Sequence, residues 1–171
     1  MRVSAERGVT ALELMVVLAV VAVLLALALP AWQDLAARQR RNAMAEQLNG
    51  HLALARSAAI SKGRPVAVST MGEGWHSGWR VHLDDQRNGQ WDAGESVLAE
   101  QEGDPMVRIS GNGSMGRYAL FDPDGRPRQS GGGFLSGRLE VCTPDRLGVT
   151  VLIMSAAGRI RRESRETNCS G

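Results

Sequence analysis

Glu13-Leu-Met-Val-Val-Leu-Ala-Val-Val-Ala-Val-Leu-Leu-Ala-Leu-Ala-Leu-Pro30 is an acid, an unbroken run of apolar residues, and a proline. With Val9 to Glu13 included, the segment reaches about 21 residues, close to the ~20 that a helix needs to cross a bilayer. Arg2 and Arg7 precede it and Arg38, Arg40 and Arg41 follow it, so charge alone leaves the orientation open. A secretory signal peptide competes with this reading. It requires a small-residue cleavage site after the apolar run, and Pro30, Trp32 and a helical pattern stand there instead. Glu13 is the odd residue, because an acid in an apolar helix costs about 2.5–3.5 kcal/mol at central positions and usually has a function. The alternative is a solvated acid at the membrane surface.

Outward to the N-terminus, Arg7-Gly8-Val9-Thr10-Ala11-Leu12-Glu13-Leu14 resembles the class III signal of type IV pilins and pseudopilins. That signal has a short basic leader, Gly at the cut, Thr at the second mature position and Glu at the fifth. The departures are Val9, where the family usually has Phe, and Ala11, where Leu or Val is common. The resemblance implies removal of residues 1–8 by a prepilin peptidase after Gly8 and N-methylation of Val9. It also implies that Glu13 pairs with the terminal amine of a neighbouring subunit. A buried acid is tolerated when it gains such a cationic partner. Pro30 matches the family's helix proline, which has no N–H and clashes with the carbonyl four residues back. A simple irregularity at the membrane edge is the other reading of it.

Toward the C-terminus the helical pattern continues to Ser61. Met44, Leu48, Leu52, Ala55 and Ala59 recur at helical spacing and draw one apolar stripe. Lys62, Gly63 and Pro65 then supply a terminal cation, a glycine stop and a breaker. The remainder reads as strands: 65–71, 78–84, 96–101, 106–111, 117–121, 133–142, 148–156 and 159–163, separated by Gly, Asp, Asn and Pro. The expectation is an α+β type IV pilin fold. Residues 9–30 form the transmembrane half of one long helix and 31–62 its amphipathic half. Residues 63–171 form a head of antiparallel sheet. The phrase Gly78-Trp79-Arg80-Val81-His82-Leu83-Asp84, with Asn88-Gly89, Asp92, Gly94-Glu95 and Val97-Leu98, resembles the GspH/FimT branch of that superfamily. The ending Ala157-Gly158-Arg159-Ile160-Arg161 fits it too.

Formal net charge is +2, so overall charge singles out no partner, and Lys62 is the single lysine. Cys142 and Cys169 form no zinc-type pattern; in an exported domain they read first as a disulfide, against two unrelated thiols. His51, His76 and His82 are scattered, and neither a catalytic set nor a phosphate loop is evident, so no enzymatic activity and no cofactor are expected. Asp84-x-Gln86-x-Asn88-Gly89-x5-Glu95 has the spacing of an EF-hand loop. Its strand-like flanks and Arg87 favour an acidic hairpin turn, and no metal site is assigned.

The basic residues Arg159, Arg161, Arg162 and Arg165 point to nucleic acid. On a strand, Arg159 and Arg161 share a face and could meet successive phosphates. FimT-like minor pilins that bind DNA carry a Gly-Arg-x-Arg motif in this region, and Gly158-Arg159-Ile160-Arg161 matches it. Gly125-Arg126-Pro127-Arg128 matches as well, and a solvated basic edge is the plainer alternative. The resemblance implies a single-pass inner-membrane protein with its head in the periplasm. It implies assembly with other minor and major pilins or pseudopilins, and double-stranded DNA as a partner. Two functions stand: a FimT-like minor pilin, or the H-type minor pseudopilin of a type II secretion system.

Overall fold

The computed structural model describes residues 11–144 and 146–169. Gly8 and Val9, the expected cleavage and methylation positions, lie outside them. One helix, α1 (Ala11–Lys62), is followed by nine strands. These are β1 (Val66–Thr70), β2 (Gly78–Leu83), β3 (Val97–Glu102), β4 (Arg108–Gly111), β5 (Tyr118–Phe121), β6 (Pro127–Arg128), β7 (Gly137–Cys142), β8 (Val149–Met154) and β9 (Ile160–Arg165).

The chain divides into two compact units after Ala36. In the first, α1 exposes every side chain from Ala11 to Leu29. An 18-residue window of mean hydropathy 3.0, with none of it buried, is long and apolar enough to cross a membrane. Helical assignment passes through Pro30 without a break.

The second unit begins at Ala37. Here α1 buries the stripe read from the sequence: Leu48, Leu52, Ala55 and Ala59 have no solvent exposure, and Met44 has little. The helix stops at Gly63, whose φ of +62° suits a glycine and few other residues. Two antiparallel sheets follow, in the orders β3-β2-β1-β5-β6 and β4-β7-β8-β9. Alternation sorts the first sheet. Val66 and Val68 of β1 lie opposite Leu83 and Val81 of β2 and opposite Phe121 and Ala119 of β5. These residues join Leu48 and Leu52 of α1, and Leu139 and Leu152 of the second sheet, in one core. Ser69 of β1 is in register with Arg80 of β2 and Tyr118 of β5. The fold is therefore α+β, with one long helix packed on antiparallel sheets.

Each of the eight segments read as strands contains one. The two-residue β6 was not foreseen, nor were the single helical turns Trp75–Ser77 and Gly113–Gly116. Boundaries moved as well. The last strand starts at Ile160, so Arg159 lies before it, in the turn after β8.

Candidate functional site

The C-terminal arginines divide between the two faces of β9. Arg161, Glu163 and Arg165 alternate onto one face. Both arginines reach the same carboxylate, at 2.6 and 3.0 Å. Arg162 points the other way, onto α1, where it donates to Glu46 and Asn42, each at 3.0 Å. Arg159 is exposed at the turn, which is closed by Ser155 N–H donating to the Arg159 carbonyl at 3.0 Å. The strand-based spacing expected for Arg159 and Arg161 therefore does not apply. Of the four arginines, three are paired to carboxylates and Arg159 projects from a turn.

The second Gly-Arg-x-Arg segment lies against the first. Gly125 and Gly158 both have positive φ, +74° and +75°. A methyl group on Gly158 would come within 2.7 Å of the Gly125 carbonyl, so the two turns touch through backbone that only glycine allows. Arg56 of α1 fastens both: its Nε donates to the Gly125 carbonyl at 3.0 Å, and its terminal nitrogen to the Gly158 carbonyl at 3.1 Å. Arg126 is exposed on the first turn, 3.7 Å from Asp124. Arg128 is partly buried, over the Phe134 ring at 4.8 Å and beside Asp122 at 3.5 Å. Adjacent turns thus each offer an exposed guanidinium, Arg126 and Arg159.

The tail is anchored twice. Cys142 at the end of β7 and Cys169 form a disulfide with Cα atoms 5.7 Å apart. The Gly148 N–H donates to the Thr167 carbonyl at 3.0 Å. Arg41 of α1 is buried and donates to the Gly148 carbonyl at 2.9 Å and the Leu147 carbonyl at 3.3 Å. Burial, then Arg38 and Arg162, lower its pKa from the ordinary arginine value. Sequence reading missed Arg41 and Arg56. A signal existed for the first: Arg41 sits three residues before Met44 on the apolar stripe. Arg56 merely adjoins Ala55.

Glu13, the expected assembly residue, is exposed in the apolar half of α1. In the 84–95 loop the carboxylates serve the fold. Asp84 accepts from the Asn88 and Gly89 amides at 3.1 and 2.8 Å, and Glu95 contacts the Asp92 amide and His82. Burial pushes the Asp84 carboxyl above its usual range, against the pull of those two amides. Among the described residues no group of three or more His, Cys, Asp or Glu is placed to hold a metal ion.

The family described as Type II transport protein GspH matches residues 44–158, two thirds of the chain, ending just before Arg159. Two crystal structures of the type IV minor pilin FimU from Pseudomonas aeruginosa PAO1 are similar. One, in space group P21, gives a TM-score of 0.58 at 23% identity, over 74% of this chain and 90% of that one. The other, in P65, gives 0.56 at 24% identity, over 71% and 91%. At this identity the likeness establishes the type IV pilin fold. No curated protein matches the chain.

Proposed function

The chain belongs to the GspH family, and from that premise we propose that it is a FimT-like minor type IV pilin that also holds DNA non-specifically. The long helix with a fully exposed apolar half carries the pilin reading. In lipid such a surface anchors the chain, and in a filament it packs against like helices. A prepilin peptidase removes residues 1–8 and Val9 becomes the methylated first residue. Glu13 then meets the terminal amine of a neighbouring pilin, which neutralises an acid that lipid would penalise. Pro30 loosens the helix where it leaves the membrane. The head lies in the periplasm until the subunit enters a pilus. The role is structural and adhesive rather than catalytic.

The adjoining turns that expose Arg126 and Arg159 support the DNA component. Guanidiniums on turn tips suit phosphates of a backbone, which carry no sequence information. A second reading is favoured by the description of the matched family: an H-type minor pseudopilin of a type II secretion system. Deleting the gene in its own organism separates them. Loss of surface pili and of DNA uptake, with protein secretion intact, is the outcome expected; loss of secretion alone overturns it in favour of the pseudopilin. Processing is checked by the intact mass of Gly8→Val extracted from membranes. The leader is expected to stay attached, and a chain beginning at Val9 would refute the cleavage assignment.

A further inference from the structure

The 84–95 loop contributes to neither reading above, yet it is held by an expensive set of buried polar groups. Asp84 and His82 have no solvent exposure. Asp84 fixes the Asn88 and Gly89 amides, while Ser69 and Glu95 hold the two ring nitrogens of His82, each at 3.0 Å. Gly89, at φ +72°, rests on the Tyr118 ring so closely that a methyl group would come within 2.5 Å of it. The loop is thereby folded back over the outer face of the first sheet. A turn that only had to join β2 to β3 would need two to five residues. This one is longer, is pinned at both ends, and holds up Trp91, a large apolar side chain that remains 41% exposed.

Trp91 borders a cleft of about 470 Å³, within the span of about 300–1,000 Å³ usual for small-ligand pockets. Arg80 lies over the indole at 4.2 Å and is itself held by Glu100 at 2.5 Å, so the ring is fixed in place. Thr70, Glu73, Gln90 and Arg117 complete the lining used here. Neither the Arg117 guanidinium nor the Glu73 carboxylate has a hydrogen-bond or ion-pair partner among the described residues. An aromatic plate held by Arg80 is thus bordered by a donor and an acceptor whose hydrogen-bonding capacity is unspent. We infer that this cleft binds a pyranose unit of a glycan. The apolar C–H face of the sugar lies on the face of Trp91 opposite Arg80, Arg117 and Gln90 donate to its hydroxyl oxygens, and Glu73 accepts from its hydroxyl hydrogens. A stacked nucleobase also fits a tryptophan, but its phosphates would meet the Glu73 carboxylate, which disfavours a polyanion. The cleft is a different site from the paired turns and does not depend on DNA binding there.

The test uses the full chain in a detergent without a sugar headgroup. The probes are an N-acetylglucosamine trimer, a mannose trimer and a deoxythymidine decamer, read by saturation-transfer NMR and tryptophan fluorescence. At least one trimer is expected to bind saturably, with the decamer weaker. Trp91→Ala and Glu73→Gln should each weaken that binding at least tenfold, and Trp91→Phe by much less. An unchanged Cys142–Cys169 bond and unchanged fluorescence from the buried Trp75 and Trp79 check that the variants remain folded. The inference is overturned if neither trimer saturates at millimolar concentration, if Trp91→Ala binds as well as the wild type, or if the decamer alone binds and loses affinity with Trp91.

Discussion

From Leu14 to Leu29 helix α1 leaves every apolar side chain exposed, whereas from Met44 to Ala59 it hides a single stripe of them beneath two sheets. Backbone conformation is the same in both halves, so the difference lies in spacing. A continuous apolar run has no preferred face and suits a surrounding that is apolar on all sides. A run at intervals of three and four selects one face and demands a protein partner there. The second half adds what the first lacks, arginines aimed at backbone carbonyls. Arg41 holds the 147–148 turn, and Arg56 holds the turns at Gly125 and Gly158. Apolar burial fixes how far α1 lies from the sheets, while these directional bonds fix where the loops sit along it.

The sharpest way to break this contrast is to trim one leucine in each half. Leu52 has no exposure and sits in the main core, so Leu52→Ala should cost the head about 2–5 kcal/mol. Leu18→Ala should leave the head's unfolding midpoint unchanged, since Leu18 is exposed and lies in the other compact unit. Thermal unfolding of the full chain, followed through Trp75 and Trp79, decides it. Equal losses would mean that the two halves do not differ as described.

Next in size is the disulfide, which lies on the second sheet, away from the helix. Its loop spans 27 residues of sequence separation, and chain-entropy estimates give roughly 3–4 kcal/mol, model-dependent. Cys142→Ser with Cys169→Ser should lower stability by about that amount. Thiol labelling of denatured wild-type protein should find no free cysteine among these two. Two labelled thiols would remove the bond from the account.

The polar fastening ranks below both. Arg56→Met keeps much of the side chain's length and removes both donors, leaving two carbonyls unpaired by protein. A loss of about 1–3 kcal/mol is expected, concentrated in the turns at Gly125 and Gly158. Amide hydrogen exchange should rise there and not at the 147–148 turn, which Arg41 holds. Uniform loosening would argue that Arg56 only packs.

His51 offers a smaller, pH-dependent version of the same test. It accepts a hydrogen bond from the Trp79 indole N–H at 2.8 Å, and burial lowers its pKa below 6.5. Above 6.5 both folded and unfolded chains carry it neutral. As pH falls below 6.5 the unfolded chain takes up the proton first, so stability drops until the folded-state pKa is passed. His51→Gln keeps an acceptor and should flatten that part of the profile. The wild type should lose more stability than the variant as pH falls below 6.5, with no difference between them above it.

The apolar stripe, the stop at Gly63 and the strand segments were legible because each depends on near neighbours in sequence. The Cys142–Cys169 pairing was legible because two distant thiols without metal-type spacing, in a chain read as exported, pair first with each other. What escaped reading depends on residues brought together from far apart. Arg56 is 69 residues from Gly125 and 102 from Gly158, and no local pattern encodes that meeting. Arg162 read as part of a basic cluster because Glu46, 116 residues away, is invisible to a local reading. Strand edges misled for a related reason. The turn glycine Gly158 displaced Arg159 from β9, so a spacing argument that assumed a strand lost its premise.

That displacement governs the smallest effect and its test. A solvated basic edge and a DNA-binding surface have the same composition, and they differ in how many arginines reach phosphates together. Arg161 and Arg165 share Glu163, Arg162 is taken up by Glu46, and Arg128 by Asp122 and Phe134. Arg159 remains, with Arg126, whose contact to Asp124 at 3.7 Å is the longest of these pairs, on turns that touch, and with a partial share from Arg161. Two to three phosphates neutralised give a log–log salt slope of roughly −2 to −3, with affinity no better than about 10⁻⁴–10⁻⁶ M and no base preference. Arg159→Gln and Arg126→Gln should each reduce the slope by about one, and Arg128→Gln should leave it unchanged. The two glycine turns are far apart in sequence but neighbours in space, so the two variants should act alike. If Arg126→Gln has no effect while Arg159→Gln does, the turns work separately. If the wild type shows no salt-dependent binding at low salt, the arginines are a solvated edge, and the pseudopilin reading takes precedence.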